Sequence, residues 1–410
     1  MKTMKVALLA TAALAAVTVS ARADESAAIK AQLEALTARI AQLEAAPAVP
    51  TGYSLLTITD GKASAIPGLD NTAQDAAAYG DQATVIGIMP TADMPASTTI
   101  EWSGYVRAIL AYNSYSGGEM LFANNDGGDI NARGQLKVVG KTDTAVGEVG
   151  VKVQLRANAS GLTDAGFKMN EGWGWWAMTP ELTLGGGYTG SLAGIGYGVD
   201  GSCNCYGTDN SGTFATGMSD DTQMRLSYAS GPLSMAVSLN DVSDNGAGSA
   251  YGGSPHAFGS EAEVKFTGDM ISGEIAGGWH NSSSLTATST DSWTIGAGAG
   301  LALGDIANLS LSAQYGKINT GQKRLAITGL LSANLSDSIH GEVGAGWQNY
   351  NSGANSDEMA VLAGLYYDPV AQLTIGIEAE YDNPKSNALN AANPNGDNTT
   401  TVDLVTVFRF

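Results

Sequence analysis

From Thr99 to Phe410 the sequence keeps one period. Apolar and polar side chains alternate over segments of about 9 to 13 residues, and turns or loops rich in Gly, Asn, Ser, Asp and Pro separate them. Alternation with a period of two places every second side chain on one face of a strand. Sixteen segments can be read, at 99–112, 129–141, 147–159, 168–179, 181–190, 221–230, 232–243, 258–268, 270–281, 291–304, 308–317, 323–335, 338–350, 357–367, 372–382 and 399–410. The last is the plainest. Val402, Leu404, Thr406, Phe408 and Phe410 share one face, and Asp403, Val405, Val407 and Arg409 share the other. A strand that ends the chain on an aromatic, with the carboxylate directly behind it, has the form of the closing strand of a membrane barrel.

Composition agrees with this reading. The 410 residues include 53 glycines, only 15% are charged, and no apolar run after the N-terminal leader approaches the roughly 18 to 20 residues a membrane helix needs. A chain of this kind that spans a membrane does so as a closed barrel, because lipid cannot satisfy an open strand edge. The connections alternate too. Short turns stand at Lys141-Thr142-Asp143, Thr179-Pro180, Gly231-Pro232, Gly268-Asp269, Gly304-Asp305, Ser336-Asp337-Ser338 and Asp368-Pro369, and long loops run over 113–128, 191–220, 244–257 and 383–398. Short turns at one rim, long loops at the other and an even strand count return both ends of the barrel to the short-turn rim. The fold class expected is all-β and transmembrane: a sixteen-stranded antiparallel outer-membrane barrel over 99–410, preceded by a short α-helical coiled coil.

The N-terminus has the form of an export signal over 1–23. Lys2 and Lys5 precede the apolar stretch Val6 to Val19, and Ala21-Arg22-Ala23 is a cleavage site. Removing Lys2, Lys5 and Arg22 from the 20 basic residues leaves 17 against 40 acidic ones, a formal charge of −23. That charge disfavours nucleic acid and suits a surface among divalent cations and lipopolysaccharide, though plain solubility accounts for it equally. Over 24–46, Ile29, Leu33, Leu36, Ile40 and Leu43 are spaced 4, 3, 4, 3, a heptad seam that Pro47 and Pro50 end. So short a seam holds a parallel coiled coil together only if the attached domain already assembles, and the alternative is a single amphipathic helix. Within 47–98, Leu55 to Thr59 and Ala83 to Ile88 read as short strands of a periplasmic linker or small subdomain.

Trp102-Ser103-Gly104-Tyr105-Val106-Arg107, the run of hairpins, the long third loop and the terminal Phe410 together resemble a Gram-negative general porin of the sixteen-stranded trimeric kind. The WSGYVR segment is similar to the first barrel strand of alphaproteobacterial porins, and the N-terminal helix resembles that of porins with periplasmic coiled-coil extensions. The resemblance covers about 99–410. It implies a water-filled outer-membrane channel for passive diffusion of ions and small hydrophilic solutes, with no cofactor and no chemical step. It also implies a homotrimer, lipid and lipopolysaccharide around it, folding by the barrel assembly machinery, and the coiled coil in the periplasm.

Residues opposite the apolar face look into the barrel. By that parity Arg107, Arg133, Lys137, Lys152, Arg156 and Arg225 gather on one arc of the inner wall, since a Lys or Arg turned to lipid costs roughly 2 to 4 kcal/mol at the midplane. The resemblance implies that the third loop, about 191–220, folds inward and sets acids across from this arc. The loop offers Asp200 and Asp209, with Asp220 and Asp221 where it meets the sixth strand. Opposed charges would make a transverse field across the narrowest point. The competing reading is that all ten are ordinary solvated charges.

Cys203 and Cys205 flank Asn204 in the same loop. They are open to a loop-stiffening disulfide, to free thiols or, with no nearby His, to a poor metal site. Asn124-Asn125-Asp126 and Asp129 lack the downstream Glu of a calcium loop. Trp102, Trp279, Trp293 and Trp347 suit an aromatic girdle more than the alternative, a sugar-stacking track, whereas Trp173 and Trp175 share a face that Trp176 does not, so one side of that strand keeps an aromatic inside or at a subunit contact. His256, His280 and His340 leave an outer-membrane hydrolase as a remote alternative. A further alternative is a substrate-preferring channel that also tethers to the cell wall or another periplasmic partner through 24–98.

Overall fold

The computed structural model describes residues 56–69, 78–80, 82–88, 98–115, 127–160, 163–164, 166–207, 218, 220–241, 258–281, 291–318, 321–351, 357–384 and 398–410. The expected signal peptide, coiled coil, Asp209, Asn124 to Asp126 and His256 lie outside the described residues.

Two strands come first, β1 (Leu56–Lys62) and β2 (Gln82–Ile88). The barrel follows as β3 (Thr98–Tyr115), β4 (Gly127–Thr144), β5 (Gly147–Ser160), β7 (Lys168–Ala177), β8 (Leu182–Thr189), β9 (Asp221–Ser230), β10 (Leu233–Asp241) and β11 (Phe258–Thr267). It continues as β12 (Ile271–His280), β13 (Ser292–Leu303), β14 (Ala307–Lys317), β15 (Lys323–Ser336), β16 (Ile339–Tyr350), β17 (Asp357–Val370), β18 (Leu373–Pro384) and β19 (Thr399–Arg409). The two-residue β6 (Thr163–Asp164) pairs with the end of β5. Every barrel strand is antiparallel to its neighbours, and β19 pairs with β3 from Thr399↔Tyr115 to Arg409↔Tyr105, which closes sixteen strands into a ring. The segments read from alternation match these strands to within three residues at each end.

Packing is inverted relative to a water-soluble sheet protein. Val106, Leu110, Val151, Met224, Leu239, Ile275, Val343, Ile377 and Leu404 are exposed on the outer face, while Gln154, His280, Glu342 and Glu378 are fully buried inside. A monomer in water does not expose a continuous apolar surface of this extent. Aromatics border the outer band at both rims. Trp102, Trp176, Tyr228, Tyr367 and Phe408 lie toward the short-turn rim, and Tyr112, Trp279, Tyr315 and Tyr381 lie toward the long-loop rim. Trp173 and Trp175 turn inward and pack with Ile66 and Val139.

The two strands expected before the barrel form one antiparallel hairpin, registered from Leu56↔Ile88 to Lys62↔Gln82. They join the barrel sheet instead of making a sheet of their own. β2 pairs with Thr98–Trp102 of β3, on the edge left open where β19 ends opposite Tyr105. An uncovered strand edge would otherwise present unpaired backbone groups there.

Candidate pore and its lining

The inward parity of the first three barrel strands sets three rows of side chains. Arg107 stands opposite Arg133, Tyr105 opposite Gln135 and then Arg156, and Ser103 opposite Lys137 and then Gln154. Antiparallel neighbours on one face are close enough to interact directly, so the two facing arginines need acceptors. Arg133 Nε donates to Asn158 Oδ1 at 2.8 Å, and Arg156 Nε donates to Gln135 Oε1 at 2.8 Å. Lys152 is fully inside and ion-paired with Glu171. Lys137 holds its ammonium over the Tyr79 ring, 4.2 Å from the centroid. Arg225 donates to the carbonyls of Gly68 at 3.2 Å and Gly190 at 2.8 Å, with its guanidinium over Trp173. All six basic residues turn inward, but they divide into a group beside open space and a group engaged by other segments.

The third loop runs along the inner wall from β11 to β19. Its backbone N–H groups are donors without a sheet to join, and inward carboxylates accept them strand after strand. Leu192 N donates to Glu261 at 2.7 Å and Gly196 N to Glu274 at 3.0 Å. The one-turn helix α1 (Gly198–Ser202) follows, with Gly198 N on Ser310 Oγ at 2.8 Å and Val199 N on Thr328 Oγ1 at 3.1 Å. Asn204 N and Nδ2 both donate to Glu342, and Tyr206 N and Gly207 N donate to the two oxygens of Glu378 at 2.7 and 2.9 Å. Cys203 and Cys205 are joined in a disulfide, buried with Val199, Leu330, Ala360 and Leu362. Burial pushes the Tyr206 phenol up from its ordinary value, and its hydroxyl accepts from Arg409 Nη2 at 3.0 Å.

Where the loop reaches Gly207, a cavity of about 510 Å³ remains. Arg107 and Arg133 line it on one side, Glu380, Asp382 and Asp403 on the other, and Tyr206 and Gly207 form part of its border. Among the described residues, the acids that share this cavity with the arginines are therefore wall residues of β18 and β19. Of the loop aspartates, Asp200 is half-buried in α1 against β14 to β16, Asp220 is exposed, and Asp221 is buried with its Oδ2 3.6 Å from His280 Nε2. Among the described residues none of these three borders the cavity. The physical reason is that the loop turns its backbone donors toward the wall, so the negative charge that binds it belongs to strands. The same His280 nitrogen lies 3.0 Å from Glu261 Oε1, and His340 Nδ1 lies 3.0 Å from Asp368.

Sequence reasoning missed the wall acids Glu261, Glu274, Glu342 and Glu378 and the inward segment before the barrel. The acids carried a signal, since each falls on the inward parity of its strand. The segment carried none, having no period.

No protein-family model and no curated protein sequence matches the chain. Solved structures do. The anion-selective porin from Comamonas acidovorans aligns at 12% identity and a TM-score of 0.58, over 76% of this chain and all of that one. A loop L8 deletion mutant of OmpT, an outer membrane protein of Vibrio cholerae, aligns at 13% identity and 0.53, over 76% and 99%. The outer membrane channel DcaP of Acinetobacter baumannii aligns at 12% and 0.52, over 76% and 97%. At such identities what is shared is the fold, and that fold is the closed sixteen-stranded barrel of Gram-negative porins.

Proposed function

We propose that this chain is an outer-membrane porin, a passive channel for ions and small hydrophilic solutes. The observation that carries the reading is the inversion of burial: a continuous apolar exterior around an interior of carboxylates, guanidiniums and amides. Lipid fits the outside and water the inside, so transport needs no bound cofactor and no covalent step.

The third loop is the constriction in this reading. Tethered to six strands by backbone hydrogen bonds, it narrows the lumen to the space beside Arg107 and Arg133, with Arg156 next to them on the basic wall. Those cations act against Glu380, Asp382 and Asp403, with Asp209 of the loop adding to the acidic side, while Asp200 stands off the cavity in α1. The opposed charges orient dipolar solutes as they pass. Lys137, Lys152 and Arg225 belong to the same basic wall but are screened by their partners, and Asp220 and Asp221 sit at the loop's exit. The protein assembles as a homotrimer in the cell outer membrane, with the 24–46 coiled coil on the periplasmic side adding to its stability.

Planar-bilayer recording tests the channel. Purified, folded protein is expected to insert in steady ohmic steps, and folded protein that gives none overturns the reading. Loss of 24–46 is expected to lower the temperature at which the trimer dissociates without changing the step size.

A further inference from the structure

The hairpin of β1 and β2 does more than cover an edge. Lys62 and Gln82 are directly paired, so a two-residue turn would suffice to connect the strands. The chain instead spends nineteen residues there, 63–81, and the described parts of that connection lie inside the barrel.

Near the short-turn rim, Ser64 N donates to Glu101 Oε2 at 2.8 Å, and Lys141 Nζ reaches Ser64 Oγ at 2.7 Å and Glu101 at 3.4 Å. Ile66 is buried against the inward faces of Val139, Trp173 and Trp175. Gly68, at a φ of +70° that suits glycine, lies against Ser227 and Thr183, and its carbonyl accepts from Arg225. Further along, Ala78 O accepts from Arg409 Nε at 3.0 Å. Tyr79 is 1% exposed, packs edge-on to Tyr105 at 5.2 Å and takes the Lys137 ammonium over its ring. These contacts touch β19, β3, β4, β7, β8 and β9, whereas the third loop is held by β11, β12, β14, β15, β16 and β18 and meets the N-terminal segment at Arg409 of β19, which donates to both Ala78 O and the Tyr206 hydroxyl. The two segments line two arcs of one ring that meet at β19.

We infer that residues 63–69 and 78–80 form a second constriction of the channel, a selectivity element supplied from the N-terminal side. It narrows the short-turn half of the lumen and withdraws Lys137 and Arg225 from the ion path, leaving Arg107 and Arg133, which border the open cavity, as cations that solutes meet. The inference rests on the channel reading. It adds that the conductance is set by two inserted segments, one of them ahead of the barrel in sequence.

Replacing 63–81 by Asn-Gly in the full-length trimer leaves the β1–β2 register intact and tests it. Relative to the parent protein, single-channel conductance is expected to rise about twofold or more, with the reversal potential in asymmetric KCl moving toward anions as Lys137 and Arg225 are uncovered. A folded variant with the parent's conductance overturns the inference, whereas a parent that conducts nothing overturns the channel itself. If the variant does not fold, Ala65→Cys serves instead, because Ala65 is an exposed position of the same segment. Labelling it with a bulky, water-soluble thiol reagent is expected to cut the current at least about twofold. Complete labelling, verified by mass, that leaves the current unchanged overturns the inference as well.

Discussion

Gly104 and Phe410 exchange both of their backbone hydrogen bonds, Phe410 N to Gly104 O at 3.1 Å and Gly104 N to Phe410 O at 3.3 Å. The pair is the last rung of the ladder that closes the barrel, and it joins the first barrel strand to the final residue of the chain. A Cβ at position 104 would meet the Phe410 ring directly. The missing side chain is what gives the Phe410 ring room beside Gly104. Gly104→Val is expected to displace that ring and cost about 1 to 3 kcal/mol, as overpacking does. Urea unfolding of the reconstituted barrel would register it, and deletion of Phe410 is expected to slow insertion as well.

The inverted packing gives a prediction with an internal control. Leu404 and Thr401 lie on the same strand, Leu404 exposed on the outer face and Thr401 lining the inner cavity. Leu404→Lys is expected to destabilise by roughly 2 to 4 kcal/mol in a bilayer, the cost of a cation near the lipid midplane. Thr401→Lys, three residues away and facing water, is expected to stay within about 0.5 kcal/mol. Equal effects at the two sites would contradict the assignment of faces.

The contrast between those two residues also shows what the sequence made legible. A period of two depends on nearest neighbours alone, so strands such as 147–160 and 221–230 could be placed almost to the residue, and the inward side of Arg107 or Lys152 followed from parity. Contacts between segments far apart in sequence leave no such trace. Nothing around Tyr206 points to Glu378, 172 positions away, and nothing around Tyr79 marks it as the cover of Lys137. The loop aspartates drew attention because acids opposite bases are the simplest way to build a field. Among the described residues, the structure sets Glu380, Asp382 and Asp403 around the same cavity as Arg107 and Arg133, and not Asp200, Asp220 or Asp221. Short-period patterns report which face a residue occupies, and only the closed fold reports what stands across from it.

Glu378 is the anchor whose loss should be most visible. Its carboxylate accepts Tyr206 N, Gly207 N and the Tyr366 hydroxyl, the last at 2.9 Å. Glu378→Ala leaves two backbone donors of the loop without that acceptor, at about 1 to 3 kcal/mol for each buried group. The third loop is expected to loosen at its tip while the barrel remains intact. Flickering single-channel current and faster proteolysis within 190–220, with an unchanged unfolding temperature of the barrel, are the expected results. Glu378→Gln keeps one acceptor oxygen and should fall between the two.

Charge neutralisation on either side of the cavity separates the two sides of the proposed field. Arg107 and Arg133 face each other across β3 and β4, while Glu380 and Asp382 project from β18 into the same space. Fixed charges beside a narrow aqueous path weight the permeant ions by sign, and their influence weakens as salt shortens the screening length. Arg107→Ala with Arg133→Ala is expected to shift the reversal potential toward cations, by about twofold or more in permeability ratio at low salt. Glu380→Gln with Asp382→Asn is expected to shift it by a similar factor toward anions. Both shifts should shrink as KCl rises from about 0.1 M to 1 M, where the screening length falls to roughly 3 Å. Asp221→Asn gives the comparison that matters most, because this buried aspartate beside His280 lies off the cavity and should leave the ratio unchanged. An effect at Asp221 equal to that at Glu380 and Asp382 would move the field from the wall to the exit of the loop.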